Sequence, residues 1–219
     1  MVKNNDARGI IFDFDGVIID TVPYHYRSWK SPFEKRGVRF DLKDYLKING
    51  FSREKGVVMV LGKIPKKEII KVSDEKQAIY KKLLDKKLPP LLPGFRKLFN
   101  AIYQSKYRLA IASSSKNCKY ISNKLGLTKK TDVLVGGGDF KNPKPSPDIY
   151  LVTAKKLKVK PENCIVIEDM LGGIKSAKNA GAHCIALTSY SPKRKLRGAD
   201  IYIKSLEDLN IKKIEEIFK

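Results

Sequence analysis

The chain of 219 residues has no apolar run approaching the roughly 18–20 residues of a membrane-spanning helix. Its opening stretch, MVKNNDARG, holds no apolar segment of the kind that directs secretion, so the cytosol is the expected compartment. Cysteine is scarce: Cys118, Cys164 and Cys184 make an odd count with no metal-type spacing. Cys164 and Cys184 lie in the apolar runs CIVIED and CIALT and read as small core residues in a reducing compartment. Arginine is scarce too, at nine of 45 basic residues. A basic tail, a basic-aromatic tract and internal repeats are all missing. The net charge of +22 therefore rests on scattered lysines, as in KKEIIK, KKLLDKK and AKKLKVK, where they interleave with helically spaced apolar residues. Solvated helix faces explain that pattern, and nucleic acid is not the expected partner. The charge would still draw small anionic substrates toward the protein.

What the sequence does contain is alternation. Short apolar, β-branched runs at 9–15, 108–115, 132–137, 164–169, 183–188 and 200–204 read as strands. Helical patterns at 94–106, 116–126, 146–158, 171–180 and 205–218 lie between and after them. Such alternation predicts an α/β fold: a Rossmann-like, three-layer α/β/α core around a parallel sheet. Residues 22–90 break the rhythm with three or four helical segments and no buried strand, and LPPLLPG marks the return. The expected organisation is a core of 1–20 and 91–219 with a helical cap of 21–90 inserted between them.

The chemistry gathers at strand ends. In GIIFDFDG, Asp13 and Asp15 are two residues apart, so an extended backbone points both the same way. Gly16 permits a tight turn just after them. Carboxylates at the end of a buried strand are costly to desolvate, and a function has to justify that cost. Glu168 and Asp169 end a second strand-like run, Ser113, Ser114 and Ser115 end a third, and Lys144 follows a fourth. Each has an ordinary explanation alone: DxD as a turn, SSS or ED as helix capping, a lysine between prolines as solvated surface. Together they bring carboxylates, hydroxyls and one ammonium to the carboxyl edge of a parallel sheet, where ligands bind. Oxygen ligands without His or Cys suit Mg²⁺, and Mg²⁺ favours phosphate substrates. Ser113 and Lys144 would supply donors to phosphate oxygens. One aspartate can attack phosphorus to form an aspartyl phosphate, and the other can serve as general acid and base. For that role Asp15 must hold a proton, which burial beside other carboxylates favours.

The segments FDFDGVIIDT, IASSSKN, KPSPDIY and IEDMLGGIKSAKNAGA resemble the four motifs of the haloacid dehalogenase superfamily across nearly the whole chain. The resemblance implies that Asp13 is the nucleophile and a Mg²⁺ ligand. It implies that Asp15 is the acid/base and gives its backbone carbonyl to the metal. Glu168 and Asp169 would complete the metal site, and Ser113 and Lys144 would bind phosphate. Within the superfamily the sequence is similar to the group of β-phosphoglucomutases and related sugar-phosphate phosphatases. That likeness adds Thr21, His25, Trp29, Gly50, Arg53, Lys76, Ser114, Ser115, Lys116 and Asn117 as substrate-binding candidates, with Arg53 on a second phosphate. Asn49 departs from it, standing where that group commonly carries a lysine. The implied activity is Mg²⁺-dependent isomerisation of β-glucose 1-phosphate and glucose 6-phosphate by a monomer. The alternatives are hydrolysis of a sugar or polyol phosphate and, more remotely, a non-catalytic basic binding protein.

Overall fold

The computed structural model describes residues 7–218, so the opening stretch up to Asp6 lies outside the described residues. The chain divides into two compact units. One runs up to Ile19 and resumes at Leu91; the other spans Asp20–Pro90. None of the described helices is long and apolar enough to cross a membrane.

The first unit is built on a parallel sheet. Its strands are β1 (Gly9–Asp13), β2 (Arg108–Ala112), β3 (Val133–Val135), β4 (Cys164–Glu168), β5 (His183–Leu187) and β6 (Ile201–Ile203). They lie side by side in the order β3-β2-β1-β4-β5-β6, which makes β1 an interior strand. All five β1 residues are buried, as expected for a parallel strand covered on both faces. On one face Ile11, Ala110, Val166 and Cys184 pack with residues of helices α7 (Asp148–Leu157) and α8 (Leu171–Asn179). On the other, Phe12 meets Phe95 edge-to-face and Phe99 at a tilt, both from helix α5 (Phe95–Tyr103). This is the three-layer Rossmann-like core read from the alternation. The three cysteines are buried and unbridged.

The register of β1 positions the chemistry. Asp13 pairs with Ala112 on one side, so Ser113 follows one step beyond it. On the other side Phe12 pairs with Ile167, which puts Glu168 level with Asp13. The strand stops at Asp13 rather than at residue 15 because the chain curls: Ile18 N–H donates to Phe14 O, and Gly16 N–H to Ile19 O. A second difference is the terminal segment, expected as one helix over 205–218. Ser205 caps a short 3₁₀ turn at Leu206–Asp208, and Asn210 then accepts from Lys213 N–H to start α9 (Ile211–Ile217). Two capping side chains thus divide what the periodicity joined.

The second unit is helical: α1 (Val22–Glu34), α2 (Leu42–Ile48), α3 (Arg53–Leu61) and α4 (Lys66–Lys86). Asp41 and Asp44 form a reciprocal capping box at the start of α2, and Ser52 caps α3 through Lys55 N–H. In its interior Trp29 stacks on Phe33, and Phe40 meets Phe33 at a tilt. Arg36 ties α1 to α4 by donating to Glu68 and Glu75.

Candidate active site

At the carboxyl edge of the sheet, Lys144 Nζ donates to Asp13 and to Glu168 Oε1, both at 2.5 Å. Lys144 reaches them from the loop between β3 and α7. Glu168 is almost wholly enclosed: Oε1 also accepts from the Tyr150 hydroxyl at 2.6 Å, while Oε2 accepts from Asp169 and Met170 N–H at 3.0 and 3.1 Å. Asp169 is buried, and its Oδ1 has no hydrogen-bond partner among the described residues. Half-buried Asp15 accepts from Ser113 Oγ at 3.1 Å, and Ser113 Oγ in turn accepts from Ser115 N–H at 3.0 Å.

The charges explain the titration behaviour. Burial pushes Asp13 up to about 8; Lys144 opposes the shift, and the Glu168 and Asp15 carboxylates add to it. Burial likewise holds Asp169 well above the usual carboxylate range, reinforced by Glu168 and Asp13. For Lys144 burial favours the neutral amine, but Asp13 and Glu168 outweigh it and keep the ammonium. Burial, then Glu168, keeps the Tyr150 phenol protonated well above its ordinary value.

Two glycines make room for these carboxylates. At Gly16, where φ is +85°, an added Cβ would fall 2.2 Å from Asp169 Oδ2. At Gly173, in the first turn of α8, it would fall 1.7 Å from Glu168 Oε1. Oxygens of Asp13, Glu168 and Asp169 lie within 4.8 Å of one another. Three buried carboxylates facing one ammonium, with a buried Asp169 oxygen unpartnered, have the donor set and the surplus negative charge that suit Mg²⁺. Asp15 adds no side-chain oxygen to this cluster; only its backbone carbonyl was expected there.

The other candidates fall into separate groups. Ser114 and Lys116 are exposed in the loop after β2. Ser115 Oγ accepts from Asn117 N–H at 3.2 Å, a turn that leads into α6 (Cys118–Lys124). In the helical unit, Thr21 is buried at the start of α1, and its carbonyl accepts from His25 N–H. The His25 ring stacks on Tyr80 at 4.4 Å, and its Nδ1 lies 3.0 Å from Lys76 Nζ. Lys76 is buried, with its ammonium 4.4 Å from the Tyr80 ring centre and 5.6 Å from that of Trp29. Burial, and then Lys76, push His25 well below its usual value, so it is neutral. Arg53 is exposed at the start of α3, with Nη1 3.4 Å from Gln77 Oε1. Gly50 is exposed with φ of +85°. Asn49 accepts from the Tyr45 hydroxyl at 2.7 Å.

The sequence matches the haloacid dehalogenase-like hydrolase family over residues 10–187. The chain belongs to that family. It is 31% identical over 216 residues to the β-phosphoglucomutase of Bacillus subtilis, covering 95% of this chain and 94% of that one. It is 30% identical over 215 residues to a phosphorylated carbohydrates phosphatase of Thermotoga maritima, covering 93% and 97%. The crystal structure of β-phosphoglucomutase from Clostridium difficile superposes with a TM-score of 0.82 at 31% identity, covering 97% of each chain. The protein is therefore an enzyme of the haloacid dehalogenase superfamily, of the phosphatase or phosphoglucomutase type.

Sequence reasoning missed Tyr150, Gly173, Tyr80 and Tyr45. Tyr150 sits in KPSPDIY, two residues past the aspartate that opens α7, and an apolar-spaced tyrosine reads as core. Gly173 stands in EDMLGG, where nothing local says that α8 brings its backbone against Glu168.

Proposed function

We propose that this haloacid dehalogenase-family enzyme transfers a phosphoryl group on a sugar phosphate through an aspartyl phosphate at Asp13. Its principal reaction on this reading interconverts β-glucose 1-phosphate and glucose 6-phosphate. The observation that carries the proposal is the convergence of Asp13, Asp15, Ser113 and Lys144 at one sheet edge.

Asp13 attacks phosphorus, the bond from phosphorus to the sugar oxygen breaks, and Asp15 gives its proton to that oxygen. In the return half, a free hydroxyl of a bound glucose monophosphate attacks the aspartyl phosphate, gives its proton to Asp15 and frees Asp13, so the sugar becomes the 1,6-bisphosphate. Turned round, it passes its other phosphate to Asp13 by the first half-reaction and leaves as the isomerised monophosphate. Lys144 orients Asp13 and adds positive charge beside the phosphoryl oxygens. A divalent cation held by Asp13, Asp169 and Glu168 would neutralise charge on the transferring group. The same cation would oppose the upward shift of Asp13 and favour the ionised nucleophile.

The choice of isomerisation over hydrolysis draws on the helical unit. Isomerisation through a bisphosphate needs a second anion grip, and Lys76, His25 and Arg53 offer cationic and hydrogen-bonding groups for one. The similarity to the β-phosphoglucomutases points the same way. Hydrolysis is the second reading. It is favoured by Asn49, which is engaged by Tyr45 where a lysine grip is expected, and by the similarity to the Thermotoga phosphatase.

A sugar-phosphate panel with Mg²⁺, following released phosphate and isomerised product together, separates the two. Isomerised product without stoichiometric phosphate supports the mutase; phosphate alone defeats it. Asp13→Asn should fold normally and lose turnover on every substrate. Retained turnover would remove the nucleophile and the proposal with it.

A further inference from the structure

We propose that Tyr150 is a positioning residue, whose hydroxyl fixes the Glu168 carboxylate and so prepares the acidic cluster for its cation. The inference rests on reading that cluster as a divalent-cation site.

A carboxylate has about four acceptor positions. On Glu168 all four are taken: Lys144 and Tyr150 on Oε1, and the Asp169 and Met170 N–H groups on Oε2. The two backbone donors belong to the chain directly after β4 and cannot leave. Lys144 is different, because it also donates to Asp13 and reaches both from a loop. Under the proposed reaction a substrate phosphate competes for that ammonium. Tyr150 then becomes the side-chain donor that keeps Oε1 in place. It is suited to this, since it comes from α7 rather than a loop and is 1% exposed. Its ring also lies 5.2 Å from Lys144 Nζ, so one side chain bounds the travel of both partners. A phenylalanine would fill the same space and supply no donor.

The test is Mg²⁺ binding by titration calorimetry, without substrate, on the wild type and Tyr150→Phe, with thermal melts in EDTA as the folding control. The dissociation constant for Mg²⁺ should rise by roughly tenfold or more, the usual effect of losing a hydrogen bond behind a ligand. Activity should fall at limiting Mg²⁺ and recover at saturating Mg²⁺. A Glu168→Ala background, which removes the acceptor altogether, isolates the route: if Tyr150 acts through Glu168, adding Tyr150→Phe there changes Mg²⁺ affinity less than twofold. Overturning results are a dissociation constant within twofold of wild type in Tyr150→Phe, or full additivity of the two substitutions. If the wild type itself binds no Mg²⁺, the cation reading fails and takes this proposal with it.

Discussion

Replacing Gly173 with alanine should damage the protein far more than the same change one residue earlier. A Cβ at 173 would fall 1.7 Å from Glu168 Oε1 and 2.0 Å from its Cδ, whereas at Gly172 nothing among the described residues lies within 4 Å. No real contact is that short, so either the carboxylate withdraws by more than an ångström or α8 shifts. Withdrawal strains the bonds at 2.5 and 2.6 Å to Lys144 and Tyr150, which meet on that oxygen. Overpacking costs about 1–3 kcal/mol, and hydrogen bonds to a charged group contribute about 1.5–3 kcal/mol each. Partial relaxation brings the expected loss to about 3 kcal/mol, or about 6–12 °C in Tm for a chain of this size. Gly172→Ala removes a flexible residue from the same helix turn and should be neutral or stabilising by up to about 1 kcal/mol. Paired thermal melts in EDTA measure both, and Mg²⁺ titration of the folded variants measures the site. Equal melting temperatures for the two variants would refute the argument that Glu168 occupies the space beside Gly173.

In EDTA, stability should fall as pH rises from about 6.5 to 8. Asp13 is held at about 8 in the folded chain against an ordinary value of 3.8, so its contribution is lost as pH climbs through that range. His25, shifted downward, has the opposite sign, but its effect is complete above 6.5. One group can account for up to about 1.4 kcal/mol per pH unit, and Mg²⁺ should flatten the profile; a profile in EDTA that rises over this window would contradict the assignment. Lys76→Met should leave Tm within a few degrees, because methionine fits against the Tyr80 and Trp29 rings. It should reduce kcat/KM for a sugar phosphate at least tenfold; unchanged kinetics would show that this ammonium does not meet substrate.

The interior strands were legible because a parallel strand covered on both faces is a short unbroken apolar run, as in CIVIE and GIIFD. The metal-type oxygens were legible because Asp13 and Glu168 each end such a run. What remained hidden depends on distance through the fold. Lys76 and His25 are 51 positions apart, and nothing local in KVSDEKQAIY says that the lysine turns inward against aromatic rings. Tyr150 and Glu168 are 18 apart and on different elements, so the bond between them follows only from how α7 lies on the sheet. The division of the last helix was written locally, in Ser205 and Asn210, but an amphipathic period outvotes single caps when a segment is read by its spacing.

The two ends of the helical excursion are joined to each other. Leu92 N–H donates to Ile18 O, Ile19 and Leu91 form an antiparallel bridge, and Asp20 N–H donates to Pro90 O. The outgoing and returning strands thus close a narrow doorway immediately after the turn that carries Asp15 and Gly16. Whatever is threaded through that doorway leaves the sheet's hydrogen bonding untouched. A bundle of another size or sequence could therefore stand at the same two chain ends while the carboxylates at the strand ends stay as they are.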